Sequence, residues 1–358
     1  MQEQTRIAGR ETFTFPVYPR YVGQRVLAVG GGTGLANLLK GLKQYVRTPN
    51  EGISVLEPLI TELSAVVTVT DDGGSSGRLR KDFNMLPPGD IRNCIAALSE
   101  DEALLSRIFQ HRFQAGSGLN GHSFGNLFLT ALTAITGDFA EAVKRSSEIL
   151  NTHGHVYPAT ISDVQLEAVM VDGRRVRGET NITASTGRVL EINLVPSDVR
   201  PLPQTIEAIA NADLITVGPG SLFTSLVPNL LVRGIPAALA ASCATKVFVC
   251  NLMTESNESL GLTAADHIRV LNSHAGTCIF KYALVNETPV SPELKVKYAE
   301  QGGSQIEADV DAIQALGVKV IRGDYLEEVA GVARHATARV ARDLLQLATP
   351  AMAKRRSA

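Results

Sequence analysis

The segment TVTDDGGSSGRLR places two adjacent acids, Asp71 and Asp72, in a loop of small residues directly after an apolar run. Like charges repel one another, and glycine loses more conformational entropy than other residues when it is ordered. A bound ligand would offset both costs. Carboxylates are hard oxygen ligands for Mg²⁺, which bridges to phosphates, and they also accept hydrogen bonds from a ribose. A helix cap beside a solvated acid is the third interpretation of this pair.

The residues that follow the acidic pair are typical of an anion-binding loop. Glycines and serines expose backbone N–H groups and hydroxyls, and an arginine close by can pair with a phosphate. The phosphate ligands predicted in this segment are Gly73, Gly74, Ser75, Ser76 and Arg80.

Two further glycine-rich loops each follow an apolar run and precede a segment of helical periodicity. In that position the free N–H groups and the positive dipole end of a helix attract phosphates, although a turn without a ligand is the alternative. The first loop lacks the third glycine of G-x-G-x-x-G, because Leu35 stands there, and no Walker A lysine follows it. The predicted nucleotide or phosphate ligands are Gly30, Gly31, Gly32, Thr33 and Gly34 in one loop and Gly218, Gly220, Ser221 and Thr224 in the other.

Polar residues also stand beside the starts of predicted helices, chiefly in PPGDIRNC and GLNGHSFGNLFL. Those expected to approach a ribose, a sugar or a polar pocket are Asp90, Arg92, Asn93, His122, Ser123, Asn126 and Asn181. Asp90 at a helix start is equally well interpreted as a cap. His122 is a candidate ligand contact or acid–base group because imidazole titrates near neutral pH, and a structural histidine is the alternative.

The elements that would position these loops alternate along the chain. Apolar runs at 25–29, 63–67 and 214–217 alternate with segments of helical periodicity. This pattern predicts an α/β fold of the Rossmann-like, doubly wound type with a mainly parallel sheet. Alternating polarity around the Asp172-Gly173 turn predicts a small antiparallel β insertion at about 160–195.

A single domain over 23–348 accommodates these elements. A flexible arm is expected at 1–22 and a basic tail at 349–358. Within the domain, residues 90–150 are expected to be helical, and a closing helix is expected at about 325–347.

The composition argues against several classes of protein. The chain has 358 residues, is 44% hydrophobic and has a formal net charge of −2, which disfavours a nucleic acid or an acidic membrane as a partner recruited by charge. The four cysteines form no C-x-x-C pair, as expected for reduced thiols in a cytoplasmic protein. His153 and His155 have a spacing that a metal could use on a strand, but loop histidines are the preferred interpretation.

Six segments occur in an order and spacing that resembles the YvcK-type gluconeogenesis factors, relatives of the CofD 2-phospho-L-lactate transferases. They are GGGTGL, VTVTDDGGSSGRLR, PPGDIRN, GHSFGNL, GPGSLFTSLVPNLLV and VFVCNLMT, and the resemblance covers about 25–347. It implies a Rossmann-like fold, a cytoplasmic homodimer, UDP-sugar ligands, and a role in central carbon metabolism, cell shape and cell-wall regulation. For the CofD branch it implies transfer of a phospholactyl group from a guanylyl donor to a deazaflavin, with Mg²⁺ held by acids that match Asp71 and Asp72.

The same resemblance adds Asn251 and Arg334 to the polar pocket, with Arg334 expected to reach a diphosphate. Two departures accompany it. Ala336 replaces the acid of the family's Arg-His-Asp pattern, and after the Met-Thr of VFVCNLMT this chain has ESNES instead of a Gln-Pro-Gly-Glu-Thr run.

Three functions remain open at this stage. The first is a regulatory binder of a nucleotide sugar, and the second is a Mg²⁺-dependent transferase of the CofD type. An NAD-dependent dehydrogenase is disfavoured, because no Tyr-x-x-x-Lys pair occurs and the first glycine loop is incomplete. NAD or a UDP-sugar would therefore be a bound ligand and not a redox cofactor. No nucleophile motif identifies a catalytic residue, so catalysis itself stays open.

Overall fold

The computed structural model describes residues 23–46, 60–100, 104–255 and 258–354, with the backbone alone from residue 349 onward. The arm predicted at 1–22 lies outside the described residues. The strands, in chain order, are β1 (Gln24–Gly30), β2 (Ile60–Val67), β3 (His155–Pro158), β4 (Gln165–Met170), β5 (Arg175–Arg177), β6 (Val189–Val195), β7 (Leu214–Val217), β8 (Thr245–Val249), β9 (Tyr282–Asn286), β10 (Lys319–Gly323), β11 (Leu326–Val329) and β12 (Val332–His335).

Helices connect these strands, and a π-helical turn at Leu222–Leu226 follows β7. The α-helices are α1 (Gly32–Lys43), α2 (Gly74–Phe83), α3 (Gly89–Leu98), α4 (Leu104–Gln110), α5 (Phe124–Thr136), α6 (Phe139–Ile149), α7 (Glu179–Ala184), α8 (Pro203–Asn211), α9 (Val227–Leu231), α10 (Ile235–Ala241), α11 (Ala264–Ala275), α12 (Pro292–Ala299), α13 (Val310–Ala315) and α14 (Thr337–Lys354).

Seven strands form one parallel sheet in the order β10–β9–β8–β7–β1–β2–β3. The chain builds outward from β1 through β2 to β3, and then returns to the other side of β1 to add β7 and its successors. The direction of winding therefore reverses between β1 and β7, where Val29 is paired with Val217. Open α/β sheets bind ligands at this kind of switch point, beyond the carboxyl ends of the strands.

The sheet is buried between helices, as the continuous apolar strands predict. Val26, Leu27 and Val29 of β1 are almost fully buried, as is the whole of β7. Helices α1, α8 and α14 contact strands of this sheet, and α1 also packs against α3 and α14. The predicted Rossmann-like α/β fold is confirmed.

The predicted β insertion is a three-stranded antiparallel sheet in the order β5–β4–β6. Its hairpin turns at Asp172-Gly173, where Gly173 has a φ of 84° that favours glycine. Helix α7 lies between β5 and β6 and packs against β4 and β5.

The end of the chain differs from the expectation of one helix over 325–347. Strands β11 and β12 form an antiparallel hairpin first, and α14 begins only at Thr337. Ala330 and Gly331, at the turn, both have positive φ, the conformation that two-residue hairpin turns require. The sequence pattern missed this turn because the helical periodicity of the following segment was extended backward over it. The backbone of α14 continues to Lys354, into the segment expected to be a tail.

Candidate functional site

The two glycine loops predicted to bind phosphate meet at the switch point of the sheet. The first joins β1 to α1, and the second joins β7 to the π-helical turn. A cavity of about 210 Å³ lies between them. Its lining consists of residues 31–34, Asn37, residues 219–221, Ser225, residues 251–255, Tyr298 and residues 333–335. The predicted residues Asn251 and Arg334 therefore face the same cavity as both loops.

Several of these glycines are required by protein packing. A Cβ atom on Gly34 would lie 2.6 Å from the carbonyl oxygen of Pro219, so the two loops approach each other closely only because Gly34 has no side chain. A Cβ on Gly31 would lie 2.7 Å from Thr68 Cγ2 and 2.9 Å from Asp90 Oδ2. The absence of these side chains shapes the cavity before any ligand enters it.

Some of the loop N–H groups already have partners in the protein. Asn251 Oδ1 accepts the N–H of Gly220 at 3.0 Å, and its Nδ2 donates to the Gly220 carbonyl at 2.8 Å. Glu258 accepts the N–H groups of Phe223 and Thr224, both at 2.8 Å. Glu258 thus caps the start of the π-helical turn after β7. The sequence had predicted that a phosphate would accept these N–H groups.

The first loop keeps N–H groups for a ligand. The carboxylate of Asp90 accepts the N–H of Gly32. The first N–H groups of an α-helix have no intrahelical partner, and those of Thr33 and Gly34 in α1 belong to this set at the cavity wall. The groups of the cavity lining suited to an anion are therefore the N–H groups of Thr33 and Gly34 and the exposed Arg334.

Three acidic side chains lie next to the first loop. Burial, and then the charge of Asp71, raise the pKa of Asp90 to about 6. Glu179, the first residue of α7, shares a hydrogen bond with Asp71, and burial followed by the neighbouring acids raises its pKa to about 8. Sequence reasoning missed Glu179, because only the folding of the insertion against the acidic loop brings it there.

The two adjacent acids have different surroundings. Asp72 Oδ1 accepts both the backbone N–H of Thr180 at 2.8 Å and its hydroxyl at 2.6 Å. Asp72 therefore caps α7 and holds Glu179 beside Asp71. The helix that it caps is distant in sequence, whereas the capping interpretation of the acidic pair did not specify a helix. Asn181, predicted to approach a sugar, donates instead to the carbonyl of Arg177 at 2.8 Å within the insertion.

The predicted polar residues of the acidic loop and of GHSFGN contact one another. Asn126 Nδ2 donates to Ser75 Oγ at 3.0 Å, which leaves the Ser75 hydroxyl to donate to His122 Nδ1 at 2.9 Å. This arrangement needs a neutral imidazole, and burial followed by the charge of Arg78 lowers the pKa of His122 in agreement with it. Ser123 accepts the N–H of Asn126 and caps α5. His122 thus positions the start of α2.

Arg80 and Arg92, which were predicted to contact the ligand, have different hydrogen-bond partners within the protein. Arg80 is buried and donates to Asp163 and to the Val164 carbonyl, so it ties α2 to the insertion. Arg92 donates to Asn93 Oδ1 at 2.6 Å, and burial lowers its pKa.

The histidine beside Arg334 is neutral. His335 Nε2 donates to the Cys250 carbonyl at 3.0 Å, and burial lowers the pKa of His335 to about 4. The positive charge on this wall of the cavity therefore belongs to Arg334 and not to its neighbour.

A larger cavity of about 490 Å³ lies beside the edge strand β3, lined by residues of α6 and by His155 and Tyr157. It contains none of the predicted site residues.

Within the described ranges no group of three His, Cys, Asp or Glu side chains is arranged to hold a metal ion. His155 stacks on Tyr157.

Comparison with known proteins agrees with the fold and with the motifs. The family model described as 2-phospho-L-lactate transferase CofD matches residues 26–326. The gluconeogenesis factor of Bacillus subtilis (strain 168) is 45% identical over 323 residues, which cover 90% of this chain and 98% of that protein. This chain belongs to the CofD family, among its gluconeogenesis factors of the YvcK type.

Other members of the family extend the comparison. The gluconeogenesis factor of Halalkalibacterium halodurans is 43% identical over 323 residues, covering 90% of this chain and 96% of that protein. The crystal structure of protein BH3568 from Bacillus halodurans is 44% identical, superimposes with a TM-score of 0.85, and covers 90% of this chain and 100% of that chain. The resemblance to the gluconeogenesis factors, first seen in the motifs, is therefore confirmed by both sequence and structure.

No single helix in the described part of the chain is long and apolar enough to cross a membrane. One bent pair, Leu222–Leu231 with Ile235–Ala241, meets that test by length and composition only, and its first half is almost entirely buried in the protein core.

Proposed function

We propose that this gluconeogenesis factor binds a UDP-sugar in the switch-point cavity and that this binding connects central carbon metabolism with the supply of cell-wall precursors. The observation that carries the proposal is the convergence of two glycine loops on one cavity. Backbone N–H groups at a helix start and a guanidinium are the groups that bind diphosphates in other nucleotide sites. The diphosphate would lie against Thr33, Gly34 and Arg334.

Beside the carboxyl of Glu255, the rest of the lining includes uncharged polar and aromatic groups that suit a sugar. Asn37 and Tyr298 offer amide and aromatic surface around the loops, whereas the Asn251 amide is bonded to Gly220 and the Thr254 hydroxyl to Ser304. Sugar hydroxyls are recognised by such uncharged polar groups together with an aromatic face. NAD shares the diphosphate and would compete for the same place without being oxidised or reduced.

The donor chemistry beside the first loop fits Mg²⁺. Asp71 and Glu179 are hydrogen-bonded carboxyls, and Asp90 adjoins them. Mg²⁺ is commonly held by one or two carboxylates together with ligand phosphates, so one or two of these carboxyls would hold the ion and the diphosphate would supply further ligands. When bound, the ion would neutralise charge on the diphosphate. Asp72 is the less suitable ligand because Thr180 occupies its carboxylate.

Calorimetric titration with UDP-N-acetylglucosamine, NAD and GTP, with and without Mg²⁺, tests the proposal. We expect the UDP-sugar to bind without being converted. Arg334→Gln should weaken its binding at least tenfold, because the variant loses the charge that faces the diphosphate. The matched control is Arg322→Gln, an exposed arginine on β10 paired with Glu287, and it should bind as the wild type does. Equal affinities of the two variants, or no binding by the wild type, would contradict the proposal.

A transferase of the CofD type is the second candidate, favoured by the acidic cluster beside the first loop. In that reaction an acceptor hydroxyl would attack the phosphorus of a guanylyl phospholactate and GMP would leave. Arg334 and the N–H groups of α1 would stabilise the charge on the departing phosphate. Mg²⁺-dependent release of GMP in the presence of a deazaflavin acceptor would support this function over simple binding.

A further inference from the structure

The wall of the cavity formed by residues 251–255 ends at Glu255, and the side chain of a second glutamate, Glu258, contacts it. Glu258 is buried, with 6% of its surface exposed. One of its oxygens accepts the N–H groups of Phe223 and Thr224, both at 2.8 Å. This contact fixes the segment after β8 to the start of the π-helical turn. The backbone N–H of Glu255 donates to Ser259 Oγ at 2.9 Å.

The side chains of the two glutamates are hydrogen-bonded to each other. Two carboxyl groups form such a bond only when one of them carries a proton. Glu258 is the buried member, and desolvation raises its pKa well above the usual range, so Glu258 is the protonated member of the pair. Glu258 is therefore the donor in its hydrogen bond with Glu255.

Glu255 lines the cavity together with Thr254, Tyr298 and Arg334. A carboxylate in this position accepts hydrogen bonds from hydroxyl groups, and it repels a second carboxylate with little screening because the site is partly enclosed.

We propose that Glu255 is a specificity-determining residue that selects ligands with a neutral, hydroxyl-bearing sugar and rejects ligands with an acidic one. Glu258 is the positioning residue that holds Glu255 in place. This inference rests on the proposed binding of a nucleotide sugar and adds the class of sugar.

The test compares UDP-glucose with UDP-glucuronate, which differ in one carboxylate, by calorimetric titration at pH 7.5. The wild type should bind UDP-glucose at least tenfold more tightly than UDP-glucuronate. Glu255→Gln should reduce this ratio at least fivefold, mainly by binding the glucuronate more tightly. Glu62→Gln removes the same charge from the exposed amino end of β2, whereas the cavity lies beyond the carboxyl ends of the strands, and it should leave the ratio unchanged.

Two variants of Glu258 separate positioning from loss of folding. In Glu258→Gln the amide oxygen can still accept both N–H groups while its NH₂ donates to Glu255, so the ratio should be preserved. Glu258→Ala removes both contacts and should lower the ratio of the two affinities. A ratio that is unchanged in Glu255→Gln, or a wild type that binds both ligands equally, would overturn the inference while leaving nucleotide-sugar binding intact. No binding of either ligand by the wild type would overturn both proposals.

Discussion

At the scale of single residues, carboxyl groups of the protein accept hydrogen bonds from N–H groups of the glycine loops. Asp90 accepts the N–H of Gly32, and Glu258 accepts those of Phe223 and Thr224. These contacts are charge-assisted or become so on ionisation, and they hold the loops in the conformation that leaves the cavity open. Burying acids beside one another has a cost, which is visible in the raised pKa values of Asp90 and Glu179.

Asp90 makes the stability of the protein depend on pH. Its pKa is about 6 in the native state, compared with an ordinary value of 3.8. Between these values the native state binds more protons than the unfolded state, so the free energy of unfolding should fall as the pH rises from about 4 to about 6. Asp90→Asn should remove up to about 3 kcal/mol of this fall, since one pKa unit corresponds to about 1.4 kcal/mol. Urea unfolding at pH 4.5 and pH 7.5 measures the difference.

The control for this prediction is Asp311→Asn, on the exposed first turn of α13. It should reproduce the pH dependence of the wild type. Asp90→Asn variants that lose stability between pH 4.5 and pH 7.5 as steeply as the wild type would show that Asp90 does not govern this interval.

At the scale of elements, the cavity exists because α1 and the loop after β7 are in direct contact. Gly34 lies in the first turn of α1 and touches Pro219 across the switch point. The contact fixes how far apart the two loops can be. It also explains a glycine that does not fit the dinucleotide-binding pattern, since Gly34 serves packing between loops.

Gly34→Ala should therefore destabilise the protein by about 1–3 kcal/mol, the usual cost of forcing one extra carbon into a packed contact. The new Cβ would press on the backbone of Pro219, which cannot rotate away. Urea unfolding provides the measurement. Gly30→Ala is the matched control, because a Cβ there would meet its neighbours at 3.5 Å or more, an ordinary contact. Equal stability of the two variants would refute the packing role of Gly34.

At the scale of the whole molecule, the site is assembled from segments spread over most of the chain. Residues 31–34, 219–221, 251–255 and 333–335 converge on one cavity. None of these segments forms the cavity alone, so a ligand that binds there binds the native state and not the unfolded chain.

Saturation with a UDP-sugar should therefore stabilise the native state. At a concentration one hundred times its Kd, the ligand should raise the free energy of unfolding by about 2.7 kcal/mol. Uridine at the same concentration lacks the diphosphate that would face Thr33, Gly34 and Arg334, and should stabilise much less. Urea unfolding with each compound measures both effects, and equal stabilisation by the two would argue against a diphosphate site.

The parallel sheet and the insertion hairpin could be predicted because they depend on local signals. Buried strands such as β1 and β7 have continuous apolar sequences, and the Asp172-Gly173 turn marks its hairpin. The β11–β12 hairpin was missed because its Ala330-Gly331 turn is a weak signal beside a strongly periodic helix.

The sequence alone therefore determined that glycine loops stand at the ends of two strands, since strand burial and loop composition are properties of short segments. Only the tertiary structure decided that these loops share one cavity, that Glu179 joins Asp71, and that Glu258 caps the second loop. The physical reason is that each of these contacts joins residues distant in the chain. Their proximity is set by the order of strands in the sheet and by side-chain packing, which no local pattern encodes.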